Sequence, residues 1–233
     1  MSEQVHSMFS AIAPRYDTAN DVLSFGIHHV WRREAVRRSM VKPGDSVLDC
    51  ATGTGDLALA FKRAVGEGGR VLGTDFNAAM LSFAPEKAKQ QGLDVTFEVA
   101  DATALPYEAA TFDVASIAFG IRNVDDPSLC LRELSRVVKA HGRVVVLEFG
   151  QPSGVFGAMF RLYSKWIMPR LGQLLTGNKS AYEYLPKTAA AFPAGPKFVA
   201  MMQDTGRFLE VTATPLLAGL AYIYVGVVSP ASR

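Results

Sequence analysis

The 233 residues are 49% hydrophobic and 20% charged, which suits one globular domain with a sizeable core. A formal net charge of +2 gives no basis for bulk nucleic-acid binding. Cys50 and Cys130 stand far apart and outside any C-x-x-C pair, so they read as reduced core thiols in a reducing compartment.

No secretory leader or Arg-rich transit peptide is read at the N-terminus, and no apolar run approaches the ~20 residues that span a bilayer. The expected location is therefore cytoplasmic. Residues 3–40 are predicted mostly helical: Val5, Met8, Phe9 and Ile12 recur at helical spacing, and Pro14 ends that pattern. The stretch YDTANDVLSFGIHHVW at 16–31 is dense in side chains that donate, accept or stack. Trp31 is expected to open a helix and to sit in the core. The Arg32, Arg33, Arg37 and Arg38 that follow it form either a solvated face or one drawn to an anionic membrane.

From residue 46 the pattern alternates. Strands are predicted at 46–50, 70–74, 95–99, 112–118 and 143–149. Helices are predicted at 56–65, 78–91 (despite Pro85) and 127–139, with turns at 66–69 and 141–142. This implies a parallel sheet with helices on both faces. After Gly150 the rhythm changes. The segment 152–176 is amphipathic, interrupted by Pro169, and carries large apolar residues with Arg161, Lys165 and Arg170 between them. Three readings stand: a helix packed on the sheet, a lid over an apolar substrate, or a membrane-facing surface. A helix at 193–203 and closing strands at 208–213 and 221–228 complete a seven-stranded sheet.

The chemistry centres on VLDCATGTGD at 47–56: the end of a buried strand, a glycine turn and the start of a helix. Gly53 and Gly55 let the backbone turn and approach a ligand. The glycine spacing alone also fits dinucleotide enzymes, with Asp75 about 20 residues on. The charges argue otherwise. A dinucleotide puts a pyrophosphate on the helix N-terminus, where Asp49 and Asp56 would repel it. S-adenosylmethionine (SAM) carries no phosphate; its ammonium and sulfonium suit Asp49 and Asp56, and its ribose diol suits Asp75. Asp101 ends the next apolar run and can reach the adenine amino group. The order of Asp49, glycine loop, Asp75 and Asp101 resembles class I SAM-dependent methyltransferases, with Ala51 where many of them have a glycine. Taken singly, Asp56 has an alternative use against the helix dipole and Asp75 as a helix cap.

Further motifs resemble one family over nearly the whole chain, the ubiquinone/menaquinone biosynthesis C-methyltransferases. They are Y16-D17-x-x-N20-D21-x-x-S24-F25-G26-x-H28-x-x-W31, F119-G120-I121-R122-N123-V124, A181-Y182-x-Y184-L185 and M201-M202-Q203-D204-x-G206. The resemblance implies SAM contacts at Thr54, at Asp101 with Ala102, and at the strand end near Ala118. It implies methylation of a ring carbon of a polyprenylated quinol, demethylmenaquinol to menaquinol first. Another lipophilic or phenolic acceptor is the alternative. On that reading Arg122 stabilises the developing oxyanion or holds a water, and Asn123 orients the same hydroxyl. His28 is the base candidate, positioned by Tyr16 and Asp17, while His29 is structural. No metal is expected. A peripheral contact with the inner face of the membrane and a homodimer are. The domain is expected to divide into a helical cap (1–40), a SAM-binding core (41–150), a helical insertion forming lid and substrate region (151–206) and closing strands (207–233).

Overall fold

Apolar side chains on both faces make a strand central. In β1 (Ser46–Cys50), Val47 is buried on one side and Leu48 and Cys50 on the other. In this computed structural model, which describes residues 3–230, β1 pairs in parallel with β2 (Arg70–Asp75) on one edge. β3 (Thr96–Val99) lies beyond β2. On the other edge follow β4 (Phe112–Ala118) and then β5 (Val138–Phe149), also parallel. The last two strands, β6 (Phe208–Leu216) and β7 (Ala221–Val228), form an antiparallel hairpin, and β7 inserts between β5 and β6. The order is β3-β2-β1-β4-β5-β7-β6. The order reverses at β1 and β4, so the loops leaving their carboxyl ends diverge and open a crevice.

Eleven α-helices surround the sheet among the described residues: α1 (Glu3–Ile12), α2 (Tyr16–Ser24), α3 (Ile27–Ser39), α4 (Asp56–Val65), α5 (Ala78–Leu81), α6 (Ala84–Gln90), α7 (Pro127–Val137), α8 (Gly154–Leu162), α9 (Met168–Thr176), α10 (Lys179–Ala191) and α11 (Pro196–Asp204). The strand period of two divides the core. Val47, Val114 and Val145 face Trp31 and Ala35 of α3 and Leu57, Ala58 and Phe61 of α4. Leu48, Ala115 and Val146 face Cys130, Leu131 and Leu134 of α7 and Phe198 and Met202 of α11. A third cluster joins Ile12, Ala19 and Leu23 to Met168, Ala181 and Tyr182. It makes one helical layer from segments far apart in the chain. Gly172 permits its close crossing: a Cβ there would lie 2.1 Å from Tyr182 Cδ2.

The structure departs from the expected elements where special residues act. The helix expected at 78–91 is two, because Pro85 stands in the first turn of α6, where its missing N–H costs nothing. The turn at 141–142 is a bulge inside β5: Val138 pairs with Phe112 and Arg143 with Val114, and His141 takes φ +62°. α3 begins at Ile27, ahead of Trp31. The break in the 152–176 segment is a π turn, Tyr163–Ile167, and Pro169 opens α9. α10, capped by the Asn178 side chain, was not foreseen, and Pro186 lies inside it. Both cysteines are buried and free, with their thiols pushed up by burial.

Candidate active site

The loop after β1 turns through Ala51 (φ +49°), Gly53 (φ +59°) and Gly55 (φ +90°). Asp75, at the end of β2, ties it down: Gly53 N–H donates to Oδ2 at 2.8 Å and Asn77 N–H to Oδ1 at 2.8 Å. Burial raises the Asp75 carboxyl against those two bonds. Each oxygen keeps a lone pair for a further donor. Asp101 is fixed by the backbone N–H and hydroxyl of Thr103, at 2.8 and 2.7 Å. Gly53, Asp75, Asp101, Ala102, Ala118 and Asn123 line one cleft at the carboxyl edge of the sheet, with Phe9 and Tyr16 reaching in from the N-terminal helices. Asn77 Nδ2 donates to His6 O at 2.9 Å and to Ser10 Oγ at 3.0 Å, so α1 is fastened over this cleft. With α1 in place the cleft holds about 100 Å³.

Beside it is a larger, mostly apolar cavity of about 640 Å³, within the range of small-molecule sites. Leu23, Trp31, Phe149, Phe160, Met168 and Leu185 are among its walls, and Arg122, His28, Tyr182 and Tyr184 are polar groups at it. Phe9, Tyr16 and Phe119 line both chambers, so the two meet there. Tyr184 OH donates to Asn123 Oδ1 at 3.1 Å, linking a residue of the large cavity to one of the cleft.

Several expected site residues are placed elsewhere. Asp49 does not line the cleft. Its carboxylate is buried between Ser116 Oγ and Thr52 Oγ1, each at 2.6 Å, and burial lifts its pKa to about 6 despite those bonds. Thr54 is likewise absent from the cleft wall: its hydroxyl donates to Asp17 Oδ1 at 2.6 Å and accepts from Lys87. Gly55 serves packing, since a Cβ there would lie 3.0 Å from Ala84 Cβ and 3.2 Å from the Phe97 ring. Asp17 pairs with Lys87 and not with a histidine. Asp56 is not left for a ligand cation: burial would raise its carboxyl, but Arg32 at 3.1 Å and Lys87 at 2.8 Å hold it below the ordinary range. Arg32 thus leaves the solvated face expected for it. Arg37 and Arg38 bind Glu34 on their own helix.

His28 is buried at the large cavity, with Nδ1 2.5 Å from Ser24 Oγ. Burial first, then Arg32 and His29, lower its pKa to about 4. It is therefore neutral at pH 7 and a weak base. Asp21, not Asp17, faces the imidazoles, with Oδ1 3.4 Å from His28 Nε2 and 2.7 Å from His29 Nε2. These three donors lie within 4.8 Å of one another, and the Asp21–His29 hydrogen bond accounts for two of them.

Arg122 follows β4 in a 3₁₀ turn. Its Nη1 donates to Phe119 O at 2.5 Å and to Glu148 Oε1 at 2.8 Å, with both charged side chains buried. Glu148 lies in the stretch R136-V-V-K-A-H-G-R-V-V-V-L-E148-F-G, which resembles a further family signature, and the sequence gives it no role. Its local signal is a carboxylate that closes the apolar run Val144–Leu147, written VVVL. Tyr184 was seen in a motif and given no role.

A parallel α/β sheet with a reversed hairpin, acidic residues ending β2 and the run after β3, and a glycine turn between β1 and α4 define a class I SAM-dependent methyltransferase. A SAM-dependent methyltransferase from Aquifex aeolicus shares the fold, with a TM-score of 0.63 at 19% identity, over 84% of this chain and 89% of that one. The chain belongs to the ubiE/COQ5 methyltransferase family, whose model matches residues 1–228. It is 53% identical over 227 residues to the ubiquinone/menaquinone biosynthesis C-methyltransferase UbiE of Bdellovibrio bacteriovorus, covering 97% of this chain and 96% of that one. It is 48% identical over 220 residues to the demethylmenaquinone methyltransferase of Thermus thermophilus, covering 94% and 99%.

Proposed function

We propose that this enzyme uses SAM to methylate a ring carbon of a polyprenylated quinol, with demethylmenaquinol the first candidate. The observation that carries the reading is the pair of adjoining chambers: a cleft with three acids, Asp75, Asp101 and Asp125, beside an apolar cavity large enough for a ring and the start of a prenyl tail. The cleft suits SAM. Asp75 faces a diol, Asp101 an amino group, Phe76 and Met80 the apolar faces of the adenine, and Gly53 leaves room for close approach. SAM supplies the methyl group when bound. The protein's own task is to make carbon nucleophilic. Arg122, which lines the large cavity, favours the oxyanion of a ring hydroxyl. Tyr16 and Phe119 hold the ring at the junction, and Asn123 with Tyr184 orients its polar edge.

On this reading residues 41–150 hold the cofactor and 207–230 close the sheet. Residues 3–40 and 151–206 enclose the acceptor; residues 1–2 and 231–233 lie outside the described part of the chain. No helix among the described residues is long and apolar enough to cross a membrane. Yet Val155, Met159, Leu162, Trp166 and Ile167 are exposed beside the cavity, and Lys165 and Arg170 lie 5.4 Å from the Trp166 ring. An apolar surface with basic groups suits peripheral contact with an anionic bilayer, from which a prenylated substrate is delivered. Mass spectrometry of quinones from cells lacking the protein tests the function. Loss of one ring methyl group from a named quinone is expected, and an unchanged quinone profile would contradict it.

A further inference from the structure

We propose that Glu148 accepts the proton that the quinol hydroxyl gives up, and that Arg122 remains as counter-ion to the oxygen. The inference rests on the quinol reading above and adds the group that reading lacks, a base. Among the described residues lining the large cavity there is no carboxylate. Burial pushes the Tyr163, Tyr182 and Tyr184 phenols up, so they keep their protons; Asn20 has no basic atom, and His28 is too weak a base with a pKa of about 4. Arginine does not give up its proton.

Glu148 stands one hydrogen bond behind the wall that Arg122 forms. Its Oε1 is satisfied, accepting from Arg122 Nη1 and from Phe149 N–H, both at 2.8 Å. Its Oε2 is buried with no protein donor, and Arg122 Nε is buried with no acceptor. Two orphaned atoms on one buried ion pair, beside a cavity, form a site that asks for a donor and an acceptor at once. A hydroxyl on the substrate, or a water bonded to it, is both. Phe149, next in the chain, lines the same cavity, with the Arg122 guanidinium 5.3 Å from its ring centre.

Charge balance favours the transfer. Before it, the buried set is a neutral quinol with Arg⁺ and Glu⁻. After it, the set is an oxyanion with Arg⁺ and a neutral acid. Net charge is unchanged, which avoids the large cost of a new unpaired charge in a low-dielectric site. The O–H bond breaks with its electron pair left on oxygen, and the proton goes to Oε2. The ring carbon then takes the methyl group as the carbon–sulfur bond breaks, its pair staying on sulfur. The ring C–H proton leaves to solvent and Glu148 returns its own to the oxygen, so one proton is released per methyl. The titratable and charged groups beside Glu148 are Arg122 from the turn after β4 and, on β7, Tyr222, its cross-strand partner, with Tyr224 two residues on, whose phenol is pushed up chiefly by burial. Burial also raises the Glu148 carboxyl against the pull of Arg122, the direction a base at neutral pH needs.

The test is the ratio of methylation rates on two acceptors: a short-chain demethyl-naphthoquinol, and a halogenated analogue whose hydroxyl is already ionised at neutral pH. In Glu148→Gln the rate on the first should fall ~10²–10⁴-fold, the range of a lost general base, while the rate on the second stays near wild type. Binding of S-adenosylhomocysteine, measured by calorimetry, should be unchanged. An equal loss on both acceptors would mean that Glu148 only holds Arg122 in place, and would overturn the proposal. If the Gln variant does not fold, Glu148→Asp keeps the charge beside Arg122 and is read by the same ratio of first acceptor to second: a lowered ratio supports the proposal and an unchanged one overturns it. A wild-type protein that methylates neither acceptor would overturn the quinol reading itself, and this inference with it.

Discussion

Asp49 and His28 are both buried, and their ionisations bend stability in opposite directions over the same pH window. Asp49 has a folded pKa of about 6 against 3.8 for the free group, so the folded chain binds its proton more tightly. Its contribution is most favourable below the unfolded value and is lost as pH rises to about 6. His28 has a folded pKa of about 4 against 6.5, so the unfolded chain binds the proton more tightly, and stability is lost as pH falls from 6.5 to 4. Thermal melts from pH 4 to 7 should therefore diverge. Relative to wild type, Asp49→Asn should gain on the order of 3 kcal/mol across that range, or about 6–12 °C in Tm. His28→Asn should show the opposite relative slope, and parallel curves would refute the assignment of both groups. The same scale shows what was legible. Asp75 and Asp101 could be read because they end apolar runs, a local signal. Asp49, Thr54 and Asp17 are turned from the cleft toward partners that no local signal gives: Ser116, Asp17 and Lys87 lie 67, 37 and 70 residues away. Asp75→Ala should weaken SAM binding by about 1.5–3 kcal/mol for each charge-assisted hydrogen bond lost. Calorimetric titration with SAM checks this, and normal binding would reduce Asp75 to a brace for the Gly53 turn.

The helices show how distant segments cooperate. α1 is bound to Asn77, α2 to Lys87 through Asp17, and α9 packs on α10 across Gly172, so the roof of both chambers is held by a few contacts. With α1 seated, the SAM cleft is below the ~300–1,000 Å³ of a typical ligand pocket. On the proposed reading α1 shifts as SAM enters, and Asn77→Ala, which removes its bonds to His6 O and Ser10 Oγ, should raise the SAM association rate in stopped-flow binding. An unchanged rate would show that α1 does not gate the cleft. Strands were legible as short apolar runs between turn residues and helices, and the large apolar residues of α8 and α9 from their excess over one core stripe. Of that excess, Phe156, Met159, Phe160, Tyr163 and Met168 line the cavity, while Val155, Leu162, Trp166 and Ile167 face outward. α10 was not legible, because Tyr182, Tyr184 and Pro186 give no apolar stripe. Liposome flotation separates the two uses. Phe156, Phe160 and Trp166 changed together to Ser should reduce binding to anionic vesicles, and equal flotation of both proteins would leave these helices only as cavity wall.

At the scale of the molecule, the sheet does one thing for function: its order reverses at β1 and β4, so the acids after β2 and β3 open on the same edge as Arg122 after β4. That much follows from alternating strands and helices read along the chain. The joining of 1–40 with 151–206 into a single roof does not, because it depends on packing between segments whose sequence gives no register. The central claim is carbon methylation of a reduced ring. A quinol has a hydroxyl to deprotonate, which drives electron density onto carbon; a quinone has none, and its ring carbon is electrophilic. The most direct test is single-turnover transfer from SAM to a short-chain demethyl-naphthoquinone, with and without dithionite, the product read by mass spectrometry. A ring-methylated product formed only under reduction is the predicted result, and equal rates on the oxidised and reduced acceptor would contradict it.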